Sequence, residues 1–116
     1  MKHLVARTED FGPGDVRTVR GAKQPVVVVC TNKGEYHAVR ALCPHQGAEL
    51  AAGQLTNLTI SDDPGKYFID PDSTVLRCPW HSFDFAVDSG QCASDGQMRV
   101  RTFPVSVEDG DVVVEI

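Results

Sequence analysis

"CPHQGAEL", residues 43–50, and "CPWHSFDF", residues 78–85, are the stretches on which the reading of this chain turns. Each joins a cysteine to a histidine almost at once, as Cys43-x-His45 and as Cys78-x-x-His81. Thiolate is a strong, soft metal ligand, and imidazole suits zinc, copper or iron. A zinc finger pairs two cysteines on one knuckle and two histidines elsewhere, whereas here each corner supplies one sulfur and one nitrogen. For a single tetrahedral ion that mixing has no evident purpose. For two metal ions it does, because two adjacent loops can set both cysteines on one ion and both histidines on the other. A zinc staple and a Cys/His nucleophilic pair are the competing chemistries; the latter leaves two near-duplicate corners unexplained.

Around the corners the chain reads as β-structure. "HLVART", "DVRTVR", "PVVVVCT", "EYHAVRAL", "TVLRC", "FDFAV", "RVRTFPVSV" and "DVVVEI" are short runs rich in Val, Ile, Phe and Tyr. Between them stand the turn signals "GPGD", "RGAKQ", "NKGE", "DSGQ" and "EDGD". "TNKGEY" and "VEDGDV" each place a glycine between two such runs, which suits hairpin loops. No stretch holds a 3.6-residue period for more than a turn or two, and "QGAELAAG" offers one short turn. The expectation is an all-β, antiparallel sandwich or small barrel of about eight to ten strands, with the two corners at one tip. One segment breaks the rhythm: Thr56–Ser73 carries four acids, two prolines and a Pro-Gly turn, and lies between the corners. Its "KYFI" is expected to be an edge strand or half of a hairpin, in a loop that either binds a partner or is a tolerated insertion.

At 116 residues the chain is expected to form one domain, 1–116, with a single modest core. The N-terminal "MKHLVARTEDFGPGD" shows neither an apolar signal region nor an acid-free transit pattern. The longest apolar run, Val26–Cys30, falls far short of the roughly 20 residues that span a bilayer. A cytoplasmic protein with no membrane partner is therefore expected. The net charge of −5 divides as +2 over residues 1–55 and −7 over 56–116. That disfavours nucleic acid, whose phosphates want a basic footprint, and fits docking of the acidic second half onto a basic protein surface as well as it fits a merely solvated face. No Gly-x-Gly-x-x-Gly opens a helix after a strand, so no nicotinamide or flavin site is expected. Of the remaining candidates, Cys30 reads as a core thiol, Cys92 as a loop cysteine without an assigned purpose, and His3 and His37 as surface or packing residues. A Cys30–Cys92 disulfide would be out of place in a reducing compartment.

Cys-Pro-His-x-Gly followed by Cys-Pro-Trp-His and "FDFAVDSGQ" resembles the Rieske ferredoxins and the Rieske domains of ring-hydroxylating oxygenases. The likeness runs the length of the chain, including the closing "RTFPVSVEDGDVVVEI". It departs from the pattern in two places: 32 residues separate His45 from Cys78, about twice the usual span, and Ser82 stands where the family usually has glycine. The resemblance implies a Rieske [2Fe–2S] cluster, with Cys43 and Cys78 on the inner iron and His45 and His81 on the outer one. Two ferric ions, two sulfides and two thiolates sum to zero charge, so an added electron costs less than in a four-cysteine cluster, and the potential is higher. The implied role is that of a one-electron carrier, taking electrons from a reductase and passing them to a terminal oxygenase or similar acceptor, with no substrate turned over by this chain alone. The small subunit of NAD(P)H nitrite reductases, similar in fold and often lacking the ligands, is the second role the likeness suggests. High-potential Rieske proteins carry a disulfide beside the cluster and two hydroxyl donors to its sulfurs. Ala48, Trp80, Phe83 and Phe85 occupy the matching positions here, which implies a low-potential member.

Overall fold

The structure is a computed structural model that describes residues 2–20, 25–41, 54–63, 66–77, 84–93 and 97–116; at 54, 57–63 and 66–73 it describes the strand path without the side chains. Among the described residues ten strands follow one another: β1 (Lys2–Arg7), β2 (Val16–Val19), β3 (Val26–Cys30), β4 (Tyr36–Arg40), β5 (Gln54–Asp63), β6 (Lys66–Arg77), β7 (Asp84–Ala86), β8 (Thr102–Phe103), β9 (Val105–Glu108) and β10 (Asp111–Glu115). The sole helical element among the described residues is a 3-10 turn at Thr8–Asp10. All strand pairs are antiparallel and build three sheets, ordered β1-β10-β9, β2-β3-β4-β8 and β5-β6-β7.

The run Val26–Cys30 explains the layering. Each of its five residues is at most 1% exposed, so β3 is buried on both faces, which is why it lacks the polar alternation of a one-sided strand. Val27 and Val29 enter one core with Val39, Ala41, Leu76, Phe85, Val87, Cys92 and Val100. Val26, Val28 and Cys30 enter a second with Phe11, Ala38, Phe103, Val112 and Val114. The single core expected from length is thus two, one on each side of the β2-β3-β4-β8 sheet. Dividing the burial this way lets short strands close a domain of this size, since each buried valine contributes roughly 1.5–3 kcal/mol.

The turn chemistry follows the sequence. At Asp109 (φ 52°) and Gly110 (φ 80°) the chain makes a two-residue hairpin loop closed by the pair Glu108↔Asp111. The Thr31 hydroxyl accepts from the amides of Lys33 (3.3 Å) and Glu35 (3.2 Å), bracing the β3–β4 turn. "RGAKQ" lies mostly, and "QGAELAAG" wholly, outside the described residues. The run "RVRTFPVSV", read as one strand, is divided at Pro104: β8 pairs with β4, and β9 pairs with β10 in another sheet. Proline has no N–H to offer either ladder, so the chain changes sheets there.

Candidate metal centre

Cys43, His45, Cys78, His81 and Ser82 lie outside the described residues. What the structure does show is the frame that brackets them. β4 delivers the chain into the first corner through Ala41, which is 3% exposed and whose amide donates to Pro25 O at 2.9 Å. β5 takes the chain back from that corner at Gln54, opposite Arg77. Arg77 is the residue before Cys78 and also pairs with Asp84, where the chain returns from the second corner. Beyond Asp84 the ladder continues: the Ala93 amide donates to Asp84 O at 2.8 Å. Gln54, Arg77, Asp84 and Ala93 therefore form one row across neighbouring strands. The row thus holds Gln54, which follows segment 42–53, Arg77 and Asp84, which flank 78–83, and Ala93, which precedes 94–96.

The foot of the second corner is clamped. The Arg77 guanidinium donates from Nε to Asp84 Oδ1 at 2.8 Å and from a terminal nitrogen to Oδ2 at 3.3 Å. The bidentate arrangement ties the two residues flanking 78–83, and hydrogen bonding to Asp84, then its charge, raises the Arg77 pKa above its ordinary value. Under the row lies the first core: Leu76 and Phe85, both fully buried, are paired across β6 and β7, and Phe85 bridges Cys92. The sequence left Cys92 without a purpose; it is a core residue, 2% exposed. Cys30 is 1% exposed in the second core, as its setting in "VVVVCT" suggested, and neither cysteine is in a disulfide. His37 is partly buried in β4, 3.5 Å from Glu35, and His3 lies in β1, so neither joins the row. Sequence reasoning missed the Arg77–Asp84 pair, although its signal is the charged residue on each flank of the second corner. Among the described residues no three His, Cys, Asp or Glu side chains gather as a metal site.

"KYFI" belongs to β6, and Thr56–Ser73 forms most of the long β5–β6 hairpin, whose register breaks twice, between Asn57 and Thr59 and between Ile60 and Asp63. The third strand, β7, accompanies β6 over Val75–Arg77 alone. Beyond Asn57↔Thr74 the hairpin is a two-stranded arm that leaves the sheet on the side away from the row.

The family model described as "Rieske [2Fe-2S] domain" matches residues 1–104. The chain belongs to the Rieske [2Fe–2S] domain family. This Rieske domain is 27% identical over 110 residues to the ferredoxin component of the alkene monooxygenase system of Xanthobacter autotrophicus, covering 95% of this chain and 77% of that one. It is 32% identical over 88 residues to the NAD(P)H nitrite reductase of Emericella nidulans, of which it spans 7%. Among solved structures it matches a chain in the complex of reduced oxygenase and oxidised ferredoxin of carbazole 1,9a-dioxygenase, with a TM-score of 0.74, 28% identity, and 97% and 91% of the two chains covered. By residue type Cys43, His45, Cys78 and His81 offer the two thiolates and two imidazoles that a Rieske centre takes. Among the described residues no helix is long and apolar enough to cross a membrane.

Proposed function

We propose that this Rieske domain is a one-electron carrier, accepting electrons from a reductase and delivering them to an oxygenase or similar acceptor. The observation that supports the reading is the row Gln54–Arg77–Asp84–Ala93, which sets residues flanking the two Cys/His segments side by side. Cys43 and Cys78 would hold the inner iron, and His45 and His81 the outer one. When bound, the cluster supplies a one-electron site at that end. The chain's own Leu76, Phe85 and Val100 belong to the buried core that adjoins the row. The names of the ferredoxin relatives support oxygenase and reductase partners, and the domain alone is expected to turn over no substrate. Thr56–Ser73 is read as an insertion within the single domain, and the site of action as the cytoplasm.

The test is ligation. His45→Ala and His81→Ala should each abolish the red-brown colour and the electron resonance signal of the reduced cluster, while His3→Ala and His37→Ala retain both. An unchanged signal with full iron and sulfide in either ligand variant would refute the assignment. Likeness to a nitrite reductase favours a second reading, a subunit of such a complex. Iron content separates the two, because a subunit without a cluster would be colourless as isolated.

A further inference from the structure

Two exposed arginines at the end of β4 that leads toward the first corner are opposite in sign to the whole chain. The Arg40 amide donates to Arg101 O at 2.8 Å, extending the register that pairs Ala38 with Phe103 and Val39 with Thr102. Arg40 and Arg101 are therefore direct cross-strand neighbours, with Cβ atoms about 4.5–5.5 Å apart. Both side chains are exposed. Like charges directly opposite one another destabilise a sheet, and neither arginine has an ion pair among the described residues. Arg101 lies over the Phe103 ring, 5.0 Å from its centroid, a contact that orients the guanidinium and leaves its charge uncompensated. Arg40 precedes Cys43 by three residues, so chain geometry alone keeps the two Cα atoms within about 11 Å. Arg77 is nearer still to Cys78, but Asp84 neutralises it.

The acids of the second half sit elsewhere. Asp62, Asp63, Asp70 and Asp72 belong to the arm beyond Asn57↔Thr74. Glu108, Asp109 and Asp111 surround the β9–β10 turn, which the chain reaches by running from Arg101 through β8 and β9 away from Arg40. Glu49 and Asp95 are the acids that the sequence adds within the segments opening from the row. Seven of the eleven acids in residues 56–116 thus lie on the arm or around the β9–β10 turn, away from the row.

We infer that Arg40 and Arg101 form a recognition spot for an acidic surface on the electron-transfer partner, beside the first corner. This rests on the cluster reading above. A partner within reach of the corners comes within one screening length of both charges, about 10 Å at 0.1 M salt and about 30 Å at 0.01 M. Two adjacent, uncompensated guanidiniums also present carboxylate-matching forks to it.

The test uses reduced holoprotein, stopped-flow mixing, and two one-electron oxidants of opposite charge: ferricyanide, a trianion, and hexaamminecobalt(III), a trication. With the wild type, ferricyanide oxidation should slow as salt rises from about 10 to 500 mM, although the net charge of −5 alone would make it quicken. The double variant Arg40→Gln/Arg101→Gln should lose about tenfold in ferricyanide rate at low salt and gain with the trication. Lys33→Gln, one charge removed in the turn at the opposite end of β4, should do neither. A wild-type ferricyanide rate that rises with salt, or a double variant with intact visible absorption and wild-type rates, overturns the proposal. A wild type with no visible absorption to bleach overturns the cluster reading itself and this inference with it.

Discussion

Cys30 shows how burial sets a side chain's chemistry in this domain. Desolvation raises its pKa above the ordinary thiol value, with the Tyr36 hydrogen bond acting in the other direction, and desolvation raises Tyr36 as well. An acid whose folded pKa is raised contributes stability that is fully present below its unfolded pKa and is lost as pH climbs through the folded value. Urea midpoints should therefore hold steady to about pH 8.5 and fall above it, first through the thiol and then through the phenol. Cys30→Ala should lower the plateau by opening a small cavity, yet remove the first part of the decline; an unaltered pH profile would contradict this account. Phe85 makes a different point. It occupies a position where high-potential Rieske proteins carry a hydroxyl donor. The ring is fully buried and, among the described residues, shares its core with Leu76, Val87 and Cys92, so an added hydroxyl would meet apolar neighbours there. Phe85→Tyr is expected to cost about 1–3 kcal/mol of stability for an unsatisfied hydroxyl, read as a lower unfolding midpoint.

Among the elements, the β6–β7 hairpin and the strand run that follows it hold the site. Gly90 turns the chain there at φ 77°, and its amide donates to Ala86 O at 2.7 Å. A Cβ at Gly90 would stand 2.1 Å from Val100 O, which itself belongs to backbone under the row. Gly90→Ala should therefore cost at least about 1–3 kcal/mol through positive-φ strain and that collision, and thermal unfolding checks it. The Arg77–Asp84 clamp has a subtler expected effect. Arg77→Met or Asp84→Asn should leave the strands in place and hasten cluster loss to a chelator, with the charge-exchanged pair Arg77→Asp/Asp84→Arg recovering part of the difference. Equal half-lives in all variants would show that the clamp is idle.

The legibility of these elements in the sequence follows from what they touch. β3, β4 and β10 were readable because a core imprints valines on them. β5 was not, because "QLTNLTISDD" is mostly an arm pairing with β6 alone, and the break between Asn57 and Thr59 spoils any two-residue alternation. On the β6 side four residues, Asp70–Ser73, stand opposite Leu58 alone, and that irregularity accommodates Pro71 without a lost ladder bond. Spacing and residue type singled out Cys43, His45, Cys78 and His81 as ligand candidates. The row of residues that flanks their segments was not legible, because cross-strand register is not written in local sequence.

For the whole molecule, the arm and the row lie on opposite sides of the β5-β6-β7 sheet. Replacing residues 58–73 by Asn-Gly, which closes Asn57 to Thr74 with a two-residue hairpin, should leave the electron resonance spectrum unaltered and shift the melting temperature by a few degrees at most, about 1 kcal/mol or less. Loss of the cluster in the shortened protein would show that the arm does more than extend the sheet.

The same hairpin governs how the chain finds its fold. Bringing His45 to Cys78 by closing an unstructured loop would set an entropic cost that grows with the logarithm of its length, about 0.6 kcal/mol for each doubling. The β5–β6 hairpin replaces that search with a zipper. Pairing that begins at Asp63↔Lys66 and proceeds to Gln54↔Arg77 carries residues flanking the two corner segments together one rung at a time. Hairpins form in about 1–10 μs. The stretch Gln54–Arg77 therefore acts, during folding, as a local element whose ends can meet before the more distant strand pairs, such as β1 with β10, have closed.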